Sequence, residues 1–473
     1  MIRPQTIPAL VHHVARQRGD AIALAAPGRE GTTYTRLLRL VEETGAWLTS
    51  RGYGPRSRIG LAMSEASEMA ASFLATVCCA TAVPLNPDAT SAEIEALLVR
   101  LRVDALIASA RSGTASRTAA RRLGLPVFDM QGSATRPAGV FHLAGGVRRA
   151  HDGWVQPSSE DIAVLFSTSG TTAAPKIVPI SHGLAVRRAF AEADAFRLSP
   201  DDCCLNFRPL YRGLNGGLLA SLAVGASVLL PQGFDVETLP ALLAAQRVTW
   251  FLANPAYNEA ILERFGRQHP CTGHTALRFI RSSSYRLPPG QMAALERLFG
   301  VPVLERYGAT EAGLIARSPL PPEERRPGTV GRAVCCDIAI VDERGSRLPP
   351  GDTGEIVVRG DCVIDSYEGD PQASAEAFFG DWYRTGDIGH LGDDGFLQIV
   401  GRRREIINRG GQKISPYEVE EVLLRHPGVS EAACFSVPHP TLGEEVWAAV
   451  VGRAAQSPDG AEVLALAGRY LAR

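Results

Sequence analysis

Val164-Leu-Phe-Ser-Thr-Ser-Gly-Thr-Thr-Ala-Ala-Pro-Lys-Ile-Val-Pro-Ile-Ser-His182 sets a short apolar run against a loop dense in hydroxyls. Ile162 to Phe166 reads as a buried strand, which empties into residues 167–176. That loop suits a polyphosphate. Small residues let backbone N–H groups approach closely, hydroxyls donate, and Lys176 supplies a point charge. The spacing is not the Walker pattern, which needs Gly-Lys-Ser/Thr after a first glycine. Taken alone, such a stretch serves equally as a linker; the further Pro175-Lys176 and Ser181-His182 make chance a poor explanation.

Working outward, the chain has 473 residues, too many for one small core, so several domains are expected. Hydrophobic content of 45% and a formal net charge of -1 describe an ordinary soluble globule. No basic excess points to nucleic acid, and no run is apolar enough to span a bilayer. The start, Met1-Ile-Arg-Pro-Gln, lacks the apolar stretch of a signal peptide, so a cytoplasmic protein is expected. Nine cysteines include the pairs Cys78-Cys79, Cys203-Cys204 and Cys335-Cys336; none has Cys-x-x-Cys spacing, and they read as reduced, mostly buried residues.

From about residue 5 to 330, helical and strand patterns alternate, which argues α/β architecture. Strands are expected at 58–63, 228–230, 248–253, 277–281 and 303–306, and a helix at 91–101 with Ser91 as its cap. Residues 113–161 are poor in pattern and read as peripheral. From Thr329 the character changes to short strands and turns, at 337–342, 355–359 and 396–400. A boundary falls near 401–405. Beyond it, Ser415-Pro416-Tyr417-Glu418 has the form of a capping box with proline at the first helical position. Strands at 429–437 and 446–451 and a helix at 461–471 follow. The expected fold is therefore α/β: a large N-terminal domain, residues 1–403, of two α/β subdomains plus a small β-barrel-like subdomain, then a small mobile α+β domain at 404–473.

Further constellations bear on the same chemistry. Tyr307-Gly308-Ala309-Thr310-Glu311 follows an expected strand. A carboxylate beside a phosphate loop can hold Mg²⁺, and the tyrosine offers a flat face for an adenine. Asp387, in Trp382-Tyr383-Arg384-Thr385-Gly386-Asp387, is a carboxylate able to accept both hydroxyls of a ribose, or simply a loop residue in a turn. Ser282-Ser283-Ser284 ends another strand with small side chains. Gly401-Arg402-Arg403-Arg404 reads equally as a solvated basic face.

In this order, these motifs resemble the adenylate-forming superfamily: acyl-CoA synthetases, adenylation domains of peptide synthetases and luciferases. The resemblance runs from Thr32-Thr33-Tyr34 to Gly443-Glu444-Glu445-Val446. Phrases such as Arg326-Pro-Gly-Thr-Val-Gly-Arg332 and Val437-Pro-His-Pro-Thr-Leu-Gly-Glu-Glu445 look closest to the small-acid, oxalate-type CoA ligases. It implies that Thr168, Ser169, Gly170, Thr171, Thr172 and Lys176 contact phosphate, together with Thr310. Glu311 would coordinate Mg²⁺. Ser282, Ser283, Ser284, Tyr307 and Gly308 would face the adenine, and Asp387 and Arg402 would hold the nucleotide. Arg404 would be the hinge, where many relatives carry Asp or Lys. Gly410 and Gly411 would line the thiol tunnel, and Tyr211, Arg212 and Asn254 the acyl pocket. The implied activity is ATP-dependent activation of a small carboxylic acid as its adenylate, with transfer to CoA or to a carrier protein's phosphopantetheine thiol.

Three departures qualify the resemblance. Ala173 and Ile177 replace two glycines of the relatives' phosphate loop, the second as in the oxalate-type branch. Pro209-Leu210-Tyr211-Arg212-Gly213 is about two residues shorter than the corresponding aromatic-His stretch. Arg212, if it faces the pocket, would repel an amino acid's ammonium and suit a second anionic group; otherwise it points to solvent. Finally, relatives supply a lysine in a Pro-x-x-x-x-Gly-Lys context, and none follows Gly443 here, so an incomplete C-terminal domain is expected. Two alternatives stand beside the ligase. One is adenylation of another small anion such as nitrite with transfer to an amine, as in a diazo-forming branch. The other is a nucleotide-binding partner protein that no longer turns over.

Overall fold

A computed structural model describes residues 3–109, 111, 113–147, 155–168, 175–213, 215–245, 247–266, 276–453 and 458–471. They form two compact units. The first comprises Met1–Arg325, Val334–Cys336 and Gly360–Glu376; the second comprises Arg326–Ala333, Asp337–Arg359 and Ala377–Arg473.

The first unit carries two sheets. One is 7-stranded, in the order Phe141–Ala144, Val127–Gly132, Ala105–Ser109, Arg58–Ala62, Thr81–Pro84, Ile162–Thr168, Lys176–Ser181. Its interior pairings are parallel and each edge pairing is antiparallel. Ala105–Ser109 is buried at every residue, as expected of a parallel strand covered on both faces. Residues 113–161 were expected to be peripheral. Of those described, Thr114–Arg122 forms a helix, and Val127–Gly132 and Phe141–Ala144 are the two strands at one margin of this sheet.

In the second sheet, Gly313–Arg317, Val303–Ala309, Phe279–Ser283, Trp250–Ala253, Cys203–Leu205, Ser227–Leu229, Ile22–Ala25 and Thr32–Thr33 are neighbours in that order. All pairings from Val303–Ala309 to Ile22–Ala25 are parallel. The carboxyl ends of these strands therefore lie along one rim, where open α/β sheets bind ligands. The core beneath is apolar, with Leu205, Phe251, Ile280, Leu287, Leu295 and Val303 buried together.

Local signals account for the helix starts. Thr33 caps Tyr34–Thr49 by accepting from the Arg36 N–H, and Leu37, Leu40, Val41, Thr44 and Leu48 form its buried stripe. The helix Ser91–Arg100 is capped by Thr90 rather than by the expected Ser91: Thr90 and Glu93 form a reciprocal capping box. The chain offers two adjacent hydroxyls, and only the one with a glutamate three residues on can close the box.

The second unit holds a curled antiparallel sheet of Asp337–Val341, Gly354–Arg359, Trp382–Leu391 and Phe378–Phe379, with Leu397–Arg402 against Trp382–Leu391. Its second sheet orders Gln412–Ile414, Ile407–Arg409, Gly443–Gly452 and Val429–His439. The helices Pro416–Leu423 and Gly460–Tyr470 accompany it, and Ile407, Val419, Leu423, Val429 and Val463 share a small core. The capping box expected at Ser415 does not form. The Ser415 hydroxyl donates instead to the Val400 carbonyl, which leaves proline to fix the helix start. No helix among the described residues is long and apolar enough to cross a membrane.

Candidate active site

The opening strand and its successor form an antiparallel pair in which Thr168 faces Lys176. The sheet thus fixes both ends of the hydroxyl-rich loop. Ser169, Gly170, Thr171 and Thr172 lie outside the described residues. Lys176 is half-buried, and its Nζ stands 4.6 Å from the centre of the Tyr367 ring. A cation over an aromatic face is held by the ring quadrupole, worth about 0.5–2 kcal/mol according to exposure.

Tyr367 also reaches the second motif. Its hydroxyl donates to Glu311 Oε1 at 2.8 Å, and the Glu311 side chain is buried, the residue being 8% exposed. One aromatic residue therefore ties Lys176 to Glu311, which are far apart in sequence. The segment that carries Tyr367 is itself anchored here: Glu368 donates its N–H to the Ile177 carbonyl and pairs with Arg58 at 2.6 Å.

The turn at 310–312 joins Val303–Ala309 to Gly313–Arg317. Gly308, in the strand that leads into it, is obligatory, because a Cβ there would lie 2.0 Å from the Gly313 carbonyl oxygen. The turn is gripped from below by Arg188, whose guanidinium donates to the carbonyls of Cys362 at 2.8 Å, Thr310 at 2.9 Å and Glu311 at 2.6 Å. Burial pulls the Arg188 pKa down to about 10, and the partial charges of three carbonyls stand where a carboxylate would be expected. Arg188 and Tyr367 are positioning residues that no local sequence pattern marks. Each acts through a contact more than fifty residues away.

At the rim of the second sheet, Ser282 Oγ accepts from Asn258 Nδ2 at 3.1 Å, and Ser283 Oγ accepts from Arg208 Nη1 at 3.3 Å. Ser284 adopts φ +84°, a left-handed conformation uncommon outside glycine and costing on the order of 1–3 kcal/mol. Strain of this kind at a strand end is a common mark of a ligand site. Tyr307 is buried on the adjacent strand. Asn254 spends its side chain on capping the helix Pro255–Phe265, accepting from Tyr257 N–H at 2.9 Å. Tyr211 is half-buried; Arg212 is exposed, 5.7 Å from the Tyr211 ring centre.

Among the described residues, no three His, Cys, Asp or Glu side chains converge to cage a metal. A lone buried carboxylate fits Mg²⁺, which takes one or two protein carboxylates and completes its shell with water and substrate phosphates.

In the second unit, Asp387 and Arg402 are direct cross-strand partners, with Arg402 Nε 3.5 Å from Asp387 Oδ1. Arg403 bonds Glu355 at 3.1 Å and donates its N–H to the Gly386 carbonyl. Arg404 lies in the turn that follows, its Nε 3.9 Å from Glu405. Gly410 and Gly411, at φ +58° and +93°, are the loop of the hairpin that pairs Arg409 with Gln412. Two positive φ values in succession favour glycine irrespective of any ligand.

Two family models match the chain: "AMP-binding enzyme" over residues 11–368 and "AMP-binding enzyme C-terminal domain" over 418–472. The oxalate–CoA ligase of Arabidopsis thaliana is 36% identical over 462 residues, covering 95% of this chain and 89% of the relative. The sulfoacetate–CoA ligase of Cupriavidus necator is 33% identical over 475 residues, covering 99% and 92%. The crystal structure of ATP-bound MatB from Rhodopseudomonas palustris superposes with a TM-score of 0.88 at 26% identity, over 99% of this chain and 93% of that one. With its hydroxyl-rich loop, its buried glutamate and matches along nearly its whole length, this chain belongs to the AMP-binding, adenylate-forming enzyme family.

Proposed function

We propose that this protein is an AMP-forming acid–CoA ligase for a small carboxylic acid. The observation that carries this is the Lys176–Tyr367–Glu311 arrangement, set in a chain that matches small-acid–CoA ligases almost end to end. A carboxylate is a poor acyl donor because its leaving group would be oxide. Attack of one carboxylate oxygen on the α-phosphorus of ATP breaks the α–β phosphoanhydride bond, expels pyrophosphate and leaves the acyl-adenylate. The CoA thiolate then adds to the acyl carbon and AMP departs.

Both steps move negative charge among phosphate and carbonyl oxygens, so fixed positive groups and donors supply most of the catalysis. Lys176 neutralises phosphate charge beside the loop hydroxyls. Thr310 donates to phosphate, and Glu311 would hold Mg²⁺, which when bound spreads the charge of the phosphate oxygens. Ser282–Ser284 with Tyr307 and Gly308 bound the adenine, Asp387 accepts from the ribose, and Arg402 keeps a cation beside it. Arg404 is the hinge for the domain rotation that exchanges the two half-reactions, with Gly410 and Gly411 on the path of the thiol.

Pyrophosphate release from ATP, with Mg²⁺ and a panel of small acids, tests the reading. Acid-dependent release that rises further with CoA, and yields the acyl-CoA, is the expected result. Release with nitrite alone would assign the protein to the diazo-forming type instead. ATP binding without release for any anion would make it a non-catalytic nucleotide-binding protein.

A further inference from the structure

Lysine is nearly absent from this chain. Of its 49 lysine and arginine residues, 47 are arginine, and the two lysines are Lys176 and Lys413. Whatever favours arginine along the chain was overridden at two places, and the first of them is the phosphate loop. Lys413 therefore calls for a reason of its own. It stands in the strand Gln412–Ile414, opposite Asn408. Its Nζ donates to Glu343 Oε1 at 2.6 Å, and the two side chains are 66% and 76% exposed. Arginine could make that pair at least as well, since its planar fork meets carboxylates with several donors at once. It does so nearby, where Arg359 serves both Asp337 and Asp381. The contact as it stands does not explain the lysine.

What distinguishes this pair is what it joins. Both residues belong to the second unit. Glu343 lies in a tight turn after the strand Asp337–Val341, where Asp342 Oδ1 accepts from the N–H groups of Arg344 and Ser346 at 2.9 and 2.8 Å. Lys413 is 70 residues further along. Its hairpin is fastened to the C-terminal sheet: Arg409 bonds Glu445 at 2.8 Å, and Gly410 donates its N–H to the Leu442 carbonyl at 2.8 Å. Each end is thus fixed to its own sheet, and the pair ties the curled sheet to the C-terminal sheet across the turn that holds Arg404. A contact that spans a hinge has to part when the hinge turns. A hydrated ammonium on a flexible four-carbon stem parts and re-forms more readily than a forked guanidinium. We propose that Lys413 and Glu343 form a releasable latch, which holds the C-terminal sheet in the orientation seen here for one half-reaction and lets go for the other. The inference rests on the ligase reading and on its hinge at Arg404. An exposed ion pair biases a two-state equilibrium by about 1.4- to 5-fold, which divides the enzyme's time between two orientations without locking either.

Carbodiimide coupling of the full-length protein reads the latch directly, because it joins a paired amine and carboxylate with no spacer. The activated Glu343 carboxyl is attacked by Lys413 Nζ, an amide forms and the urea departs. Peptide mapping is expected to show the 343–413 crosslink, absent from Glu343→Gln. Its yield should differ between ATP with Mg²⁺ and AMP with CoA. No crosslink, or equal yields in the two conditions, would overturn the inference. Neither readout needs turnover, so it stands apart from the ligase reading, which falls if no acid supports pyrophosphate release. The coupled enzyme, compared with Glu343→Gln treated alike, should keep one half-reaction and lose the other. The two are followed as acid-dependent pyrophosphate exchange and as thiol transfer from preformed acyl-adenylate. Equal loss or equal retention of both would also overturn the latch. Without coupling, Glu343→Gln and Lys413→Gln should shift the ratio of the two rates in one direction, by about 1.4- to 5-fold, and added salt should shift the wild type the same way. Lys413→Arg should shift it the opposite way by gripping Glu343 more firmly. A Lys413→Arg variant that behaves like Lys413→Gln would mark a contact between the amine and substrate, and would sink the latch.

Discussion

Replacing Tyr367 by phenylalanine deletes one hydroxyl and leaves the ring. The hydroxyl donates to the buried Glu311 carboxylate at 2.8 Å, and the ring remains under Lys176 Nζ at 4.6 Å. A hydrogen bond to a charged group is worth about 1.5–3 kcal/mol net. If all of it is realised when Glu311 is in its working orientation, adenylation slows by about 10- to 150-fold. Side chains that orient a metal's carboxylate ligand cost a similar 10- to 100-fold when removed. The loss should be accompanied by a weaker apparent affinity for Mg²⁺, read as a higher metal concentration for half-maximal pyrophosphate release. Tyr367→Leu also removes the ring, and should lose a further ~0.5–2 kcal/mol through Lys176. Circular dichroism and thermal melting separate this from unfolding. Wild-type rate and Mg²⁺ response in Tyr367→Phe would refute the claim that this hydroxyl orients Glu311. Equal losses in both variants would refute the contribution of the ring.

Arg188→Met leaves the carbonyls of Cys362, Thr310 and Glu311 buried without their donors, and should destabilise the first unit by at least ~3 kcal/mol; an unchanged denaturant midpoint would contradict it. Gly308→Ala forces a Cβ against the Gly313 carbonyl and should cost at least ~2 kcal/mol with loss of adenylation, checked by melting and pyrophosphate release. Burial raises the Glu305 pKa from 4.5 to about 7, partly offset by the Leu287 N–H it accepts and by Arg286. Because the folded form keeps its proton when the unfolded form has lost it, this residue's contribution is fully present below pH 4.5. It declines by roughly 3 kcal/mol as the pH rises to 7. Glu305→Gln, which preserves the acceptor, should flatten the fall in melting temperature across that interval; an unaltered slope would rule the residue out.

Much of the fold was legible because the parallel strands are buried on both faces and so read as apolar runs. The strands at Arg58–Ala62, Trp250–Ala253 and Val303–Ala309 stand where the pattern put them, give or take two or three residues. Edge elements were not legible. Val127–Gly132 and Phe141–Ala144 join a sheet at its margin, and each buries only one or two side chains, too few to mark a strand in the sequence. Caps went wrong where two hydroxyls compete, as at Thr90 and Ser91, or where a hydroxyl finds a distant carbonyl, as Ser415 finds Val400. For the site, Gly308 was legible as part of a motif, but its necessity comes from a carbonyl five residues on, approached only because the strands fold back.

By itself, the order of residues determined the family, the alternation of helix and strand, and the candidates that carry charge toward a nucleotide. Those properties reside in local composition and spacing, which survive in the unfolded chain. Tertiary structure decided which side chains meet. It set Tyr367 between Lys176 and Glu311, gave Arg188 the carbonyls of the turn beside them, and brought Arg281 and Arg306 to Glu192 while leaving Arg212 exposed. Electrostatic energy depends on distance in space and on burial, and neither is a function of separation along the chain.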